Sequence, residues 1–72
     1  MPKLMVVSAI EIIKVAQKAG FEIVSQKGSH IKLKNSEGKI LIIPNHKILK
    51  KGTTLQIIKT LGITKEELGK LL

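Results

Sequence analysis

Two histidines and a set of lysines are the residues of this sequence on which chemistry can rest. His30 lies in the stretch Gln26-Lys27-Gly28-Ser29-His30-Ile31-Lys32-Leu33-Lys34, and His46 follows Pro44. No cysteine is present, which excludes a thiol nucleophile, a thiolate metal site and a disulfide framework. The histidines stand 16 positions apart with no carboxylate cluster to join them, so neither a metal centre nor a cofactor is expected. What remains is proton transfer by an imidazole beside fixed positive charge. From His30 the alternation is clean, with Ile31 and Leu33 on one side of a pleat and His30, Lys32 and Lys34 on the other. The arrangement suits removal of a proton at an anionic centre, with ammonium groups holding the charge that develops. The same ammonium groups disfavour an imidazolium, so a neutral, proton-accepting ring is expected. His46 reads instead as a loop residue that bonds backbone or frames the groove.

Thirteen basic and five acidic residues give a net charge of +8, above most of the range of about 2 to 8 that suffices for solubility. An anionic polymer is the expected partner, bound more weakly as salt rises. Every basic residue is a lysine, a hydrated point charge without the guanidinium fork, which favours phosphate contact over reading of base edges. Phe21 is the one aromatic residue and sits where a core side chain is expected, leaving no exposed ring for base stacking. Nucleic-acid recognition would therefore rest on backbone charge and shape, with weak sequence preference. Gly28 serves as a turn residue and lets backbone approach a phosphate. Lys47, Lys50 and Lys51 form a solvated run that also precedes a helix start, where cations and free amides can hold a phosphate.

The elements that must position these residues can be read from caps and periods. Ser8-Ala9-Ile10-Glu11 is a capping box that starts a helix at Ala9. Glu11, Lys14 and Lys18 form its polar side, and Ile10, Ile12, Ile13, Val15, Ala16 and Ala19 predict that most of its circumference is buried. Gly20 is placed to end it in a left-handed cap. Residues 21–26 read as a strand, His30 opens a second, Asn35-Ser36-Glu37-Gly38 is a turn, and residues 39–43 are a third strand ended by Pro44. Residues 44–52 read as a loop anchored by Ile48 and Leu49. Thr53-Thr54-Leu55-Gln56 predicts the cap of a second helix, with Leu55, Ile58 and Leu61 as its buried stripe and Gly62 as its stop. Thr64-Lys65-Glu66-Glu67 caps a short final helix expected to bury Leu68, Leu71 and Leu72. Met1 and Met5 are taken as start residue and core filler.

The order helix, three strands, helix, short helix predicts an α+β fold: a three-stranded antiparallel sheet with helices packed on one face. The other face is left bare. Because the third strand is apolar on both parities, that face should carry aliphatic side chains beside His30, Lys32 and Lys34, as partner sites do. Seventy-two residues allow one domain, 1–72, with a thin core, and exclude a multi-step enzyme with a cofactor domain. The run from Met1 to Val7 is too short for a signal segment and no apolar stretch nears the roughly 18 residues of a membrane span, so a soluble, cytoplasmic chain is expected.

Gly20-Phe21, Gln26-Lys27-Gly28-Ser29-His30, Ile43-Pro44-Asn45-His46 and Lys51-Gly52-Thr53 together resemble the HicA toxin family over nearly the whole chain. The resemblance implies a double-stranded-RNA-binding-domain-like fold, α-β-β-β-α, and the activity of a small metal-independent endoribonuclease acting on mRNA. It also implies a HicB-type antitoxin that covers the active face, His30 as the catalytic residue, and a 2′,3′-cyclic phosphate product. RNA supplies its own nucleophile, the 2′-hydroxyl, so one base and several cations suffice. Lys27, Gly28, Ser29, Lys32, Lys34, Lys50 and Lys51 are the expected RNA contacts; no residue stands out as the acid for the leaving group. Ser25 stands where relatives often place a basic side chain, and arginine is absent, which predicts weakened RNA affinity. A free chain is expected to be a monomer or weak oligomer. The competing reading is a non-catalytic binder of structured RNA with the same fold. A helix-turn-helix over residues 53–72 is disfavoured, since the final helix is short and half acidic on its exposed side.

Overall fold

A computed structural model describes residues 6–72; Met1 and Met5 lie outside the described residues. The order is α1 (Ala9–Lys18), β1 (Glu22–Lys27), β2 (His30–Lys34), β3 (Ile40–Pro44), α2 (Lys51–Leu61) and α3 (Lys65–Leu71). The α+β arrangement predicted from the sequence is the one observed. The sheet is antiparallel in the order β1-β2-β3.

Local chemistry sets the ends of α1. The Ser8 hydroxyl accepts from the Glu11 backbone N–H at 3.2 Å, and the Glu11 carboxylate accepts from the Ser8 N–H at 3.0 Å, closing the capping box. At the other end the Gly20 N–H donates to the Gln17 carbonyl and the Phe21 N–H to the Ala16 carbonyl, at 3.1 and 3.0 Å. With Gly20 at φ +94°, these are the two hydrogen bonds of a Schellman motif, and they deliver Phe21 into the core. The helix buries one stripe, Ala9, Ile12, Val15 and Ala16, rather than most of its circumference. Ile10 is 65% exposed and Ala19 is exposed, because a single sheet face covers the helix from one side.

In the sheet, Ile31 and Leu33 of β2 and Leu41 and Ile43 of β3 point to the covered face and are buried. They meet the α1 stripe, Ile57 and Ile58 of α2, and Leu68 of α3 in one cluster. Burying a Leu or Ile side chain stabilises by roughly 1.5–3 kcal/mol, so this cluster is what holds the helices to the sheet. Asn35 makes the β2–β3 turn as its residue type suggests: its side-chain oxygen accepts from the Glu37 and Lys39 N–H groups at 3.1 and 2.8 Å.

The second half departs from the sequence expectation in register. Helix α2 begins at Lys51, capped by Lys50 with no side-chain bond, and Thr53 lies inside it rather than capping it. Leu49 explains the earlier start. It is buried, and its N–H donates to the Val7 carbonyl at 2.9 Å, which pins the chain just before the helix. Ile48, the other expected anchor, is 66% exposed. Thr54 is buried and its hydroxyl donates to the Lys50 carbonyl at 3.2 Å, satisfying itself within the helix. The buried stripe is therefore Thr54, Ile57 and Ile58, with Leu55 and Leu61 half-buried. Gly62 closes the helix in the left-handed conformation. The capping box of Thr64 and Glu67 forms as read, but of the three expected α3 anchors only Leu68 is fully buried; Leu71 is half-buried and Leu72 is 40% exposed. Among the described residues no helix is long and apolar enough to cross a membrane.

Candidate active site

The segment Lys27-Gly28-Ser29-His30 is the hairpin that joins β1 to β2. Lys27 and His30 are register partners, so the loop between them has two residues. Gly28 takes φ +60° and Ser29 keeps a negative φ, the signs of a type II′ turn, in which glycine is favoured at the first central position. The Gln26 side-chain amide donates to the Gly28 carbonyl at 3.3 Å, and the Asn45 N–H donates to the Ser29 carbonyl. The turn is thus tied both to its own strand and to the end of β3. Its geometric result is that Lys27 and His30 stand opposite each other at the first rung of the ladder.

Cross-strand partners share a face of the sheet. Three rows follow from the register on the face that no helix covers: Lys27, His30 and Pro44; Ser25, Lys32 and Ile42; Glu22, Lys34 and Ile40. Val24 has no partner in the ladder and forms a bulge between Ile23 and Ser25. The bulge shifts the pairing by one residue, so that Ser25 and Lys27, not Val24 and Gln26, share the face of His30 and Lys32. An open groove results, lined by Ser25, Lys27, His30, Lys32 and Ile42. His30 and Lys27 are exposed, and Lys32 is half-buried with its stem beside Ile42. Ile40 and Ile42 are 47% and 46% exposed, giving the uncovered face the aliphatic side chains expected of it.

The expected RNA contacts do not all meet. Lys27 and Lys32 line the groove with His30; Lys34 is on the same face one row further, beside Glu22, where a second hollow includes Gly20, Val24, Asn35 and Ser36. Gly28 and Ser29 form the turn above the groove. Lys50 and Lys51 sit at the start of α2, in the helical layer that packs on the other face, and do not line the groove. His46 is also outside it. Its carbonyl accepts from the Ala9 N–H at 3.0 Å and its N–H donates to the Pro44 carbonyl at 2.9 Å, while its exposed ring lies with Ser8, Ile10, Asn45 and Lys47. Both bonds are made by the main chain, so the loop placement is as expected while the ring accounts for neither bond and does not frame the groove. Ser25 is a groove residue that the alternation of residues 21–26 did not single out, because the bulge breaks it, whereas Ile42 is one of the aliphatic side chains expected on this face. Among the described residues no group of three histidines or carboxylates is positioned to hold a metal ion.

A sequence model of the family described as HicA toxin of bacterial toxin-antitoxin matches residues 10–63, from the first turn of α1 past the end of α2. The chain belongs to the HicA toxin family. The matched span contains the hairpin, the groove and the loop through His46, and leaves α3 as an addition beyond it. Membership makes this HicA chain the toxin of a toxin–antitoxin pair, and so implies an antitoxin as its partner. No curated protein matches the chain closely enough to count as a relative.

Proposed function

We propose that this HicA toxin is an endoribonuclease that cleaves mRNA without a metal ion, with His30 as the general base. The observation that carries the reading is the position of the His30 imidazole: exposed, on the uncovered sheet face, in a groove with Lys27 and Lys32. A base must be accessible to a polymer, and the ammonium groups that neutralise a phosphate must lie beside it. His30 takes the proton of a ribose 2′-hydroxyl, the 2′-oxygen attacks the adjacent phosphorus, and the lysines hold the charge that develops on the phosphorane. The upstream fragment then ends in a 2′,3′-cyclic phosphate. Lys34 extends the cationic row along the strand, and Lys50 and Lys51 add general attraction from the helical side. Ile40 and Ile42 give the same face an apolar component that RNA does not need, which supports docking of a HicB-type antitoxin over the groove.

The test compares purified wild type with His30→Ala on single-stranded RNA in the presence of a chelator. A positioned base contributes about 10²–10⁴-fold, so the substitution should lower the cleavage rate by at least about 10²-fold while RNA binding is retained. If both proteins bind RNA and neither cleaves it, the chain is a binding module instead. Equal cleavage by both removes His30 from the reaction.

A further inference from the structure

We propose that Lys27 is the general acid, donating the proton that the departing 5′-oxygen needs. The inference rests on the ribonuclease reading above and fills the role that the sequence leaves open.

Two groups must flank the reacting phosphorus, one on the side of the attacking 2′-oxygen and one on the side of the leaving oxygen. The hairpin supplies such a pair. Lys27 and His30 are directly opposed across the first β1–β2 rung, where cross-strand Cβ atoms stand about 4.5–5.5 Å apart, and both line the groove. The longer lysine side chain can reach over a phosphate to the far side while the ring addresses the near side. Two other groups compete for the role and fit it less well. Lys32 is one row away on the strand of His30 and is half-buried, with Ser25 and Ile42 as its row partners, which suits it to hold a non-bridging oxygen. Ser29 is in the turn and does not line the groove.

The step balances as follows. The His30 imidazole accepts the 2′-hydroxyl proton, the P–O2′ bond forms, and the P–O5′ bond breaks with its electron pair going to O5′. The Lys27 ammonium gives O5′ its proton. The products are a 2′,3′-cyclic phosphate and a 5′-hydroxyl. Solvent then returns a proton to the Lys27 amine and takes one from the His30 imidazolium, so no net proton is consumed.

The test uses one RNA oligonucleotide in two forms, natural and with sulfur replacing the 5′-oxygen at the mapped cleavage position. A thiolate leaves without being protonated. At saturating RNA, Lys27→Ala should slow cleavage of the natural RNA by about 10²-fold or more, and sulfur at the leaving position should restore at least about tenfold of that loss, the remainder being the charge that Lys27 also supplies. His30→Ala should be inactive on both, and Lys32→Ala should be slowed on both alike. Equal slowing of Lys27→Ala on the two substrates overturns the assignment, as does a sulfur rescue confined to Lys32→Ala. In either case wild-type cleavage that depends on His30 leaves the ribonuclease reading standing. A wild type that cuts neither substrate overturns both.

Discussion

At the scale of single residues, the site is a small set of side chains whose face is decided by strand parity. His30 is exposed, so its removal should cost little stability: His30→Ala is expected to unfold within about 0.5 kcal/mol of wild type in urea titration. That near-neutrality is what allows a loss of cleavage to be assigned to chemistry. Since only a neutral imidazole accepts a proton, the cleavage rate should fall as the solution is made acidic. A rate that does not respond to acidification contradicts a histidine base. Ser25 offers a gain-of-function test. It lines the groove beside Lys32. Ser25→Lys should tighten RNA binding several-fold at low salt, with most of the gain gone in high salt. Unchanged affinity would show that the polymer does not pass over this row.

At the scale of elements, the β1–β2 hairpin does the positioning. Gly28 has open space around the place where a Cβ would stand, so any penalty for a side chain there comes from its φ of +60° alone. Gly28→Ala should cost about 1–2 kcal/mol and lower activity by loosening the Lys27–His30 rung, whereas a D-alanine at the same place should restore both. Equal behaviour of the two stereoisomers would mean the turn conformation is not what matters. Much of this scale was legible in the sequence. Ser8/Glu11 and Thr64/Glu67 form their capping boxes, and the parity of residues 30–34 placed His30, Lys32 and Lys34 correctly, because local hydrogen bonding and a period of two decide those features. What was not legible depended on contacts distant in sequence. The docking of Leu49 against Val7 moves the α2 start back to Lys51 and rotates its buried stripe onto Ile57. The Val24 bulge, invisible to a pattern of alternation, brings Ser25 into the groove. Ile10 and Ile48 look like core residues by type and are exposed because one sheet face cannot cover every aliphatic side chain around it.

At the scale of the whole molecule, two faces divide the work. One carries the helices and nearly all of the core, and Leu33 is at its centre with no exposed surface. A chain of this length has little stability in reserve, so Leu33→Ala, at about 2–5 kcal/mol, should leave a large unfolded fraction, visible as lost helical circular dichroism. The other face is basic, and its row of Lys27, Lys32 and Lys34 gives a quantitative expectation for RNA binding. Three phosphate contacts on a single strand predict a slope of about −2 in log affinity against log salt, reduced by about 0.7 for each lysine replaced by alanine. A slope unaffected by these three substitutions would place the RNA elsewhere, toward Lys50 and Lys51. The central claim is that the His30 imidazole deprotonates a ribose hydroxyl of RNA lying across this face. It is tested most directly by replacing the one ribose 5′ to a mapped cleavage position with deoxyribose and analysing the product ends by mass spectrometry. The account predicts that the deoxy substrate stays whole and that the natural one yields a 2′,3′-cyclic phosphate; cleavage of the deoxy substrate, or a 3′-hydroxyl with a 5′-phosphate, would contradict it.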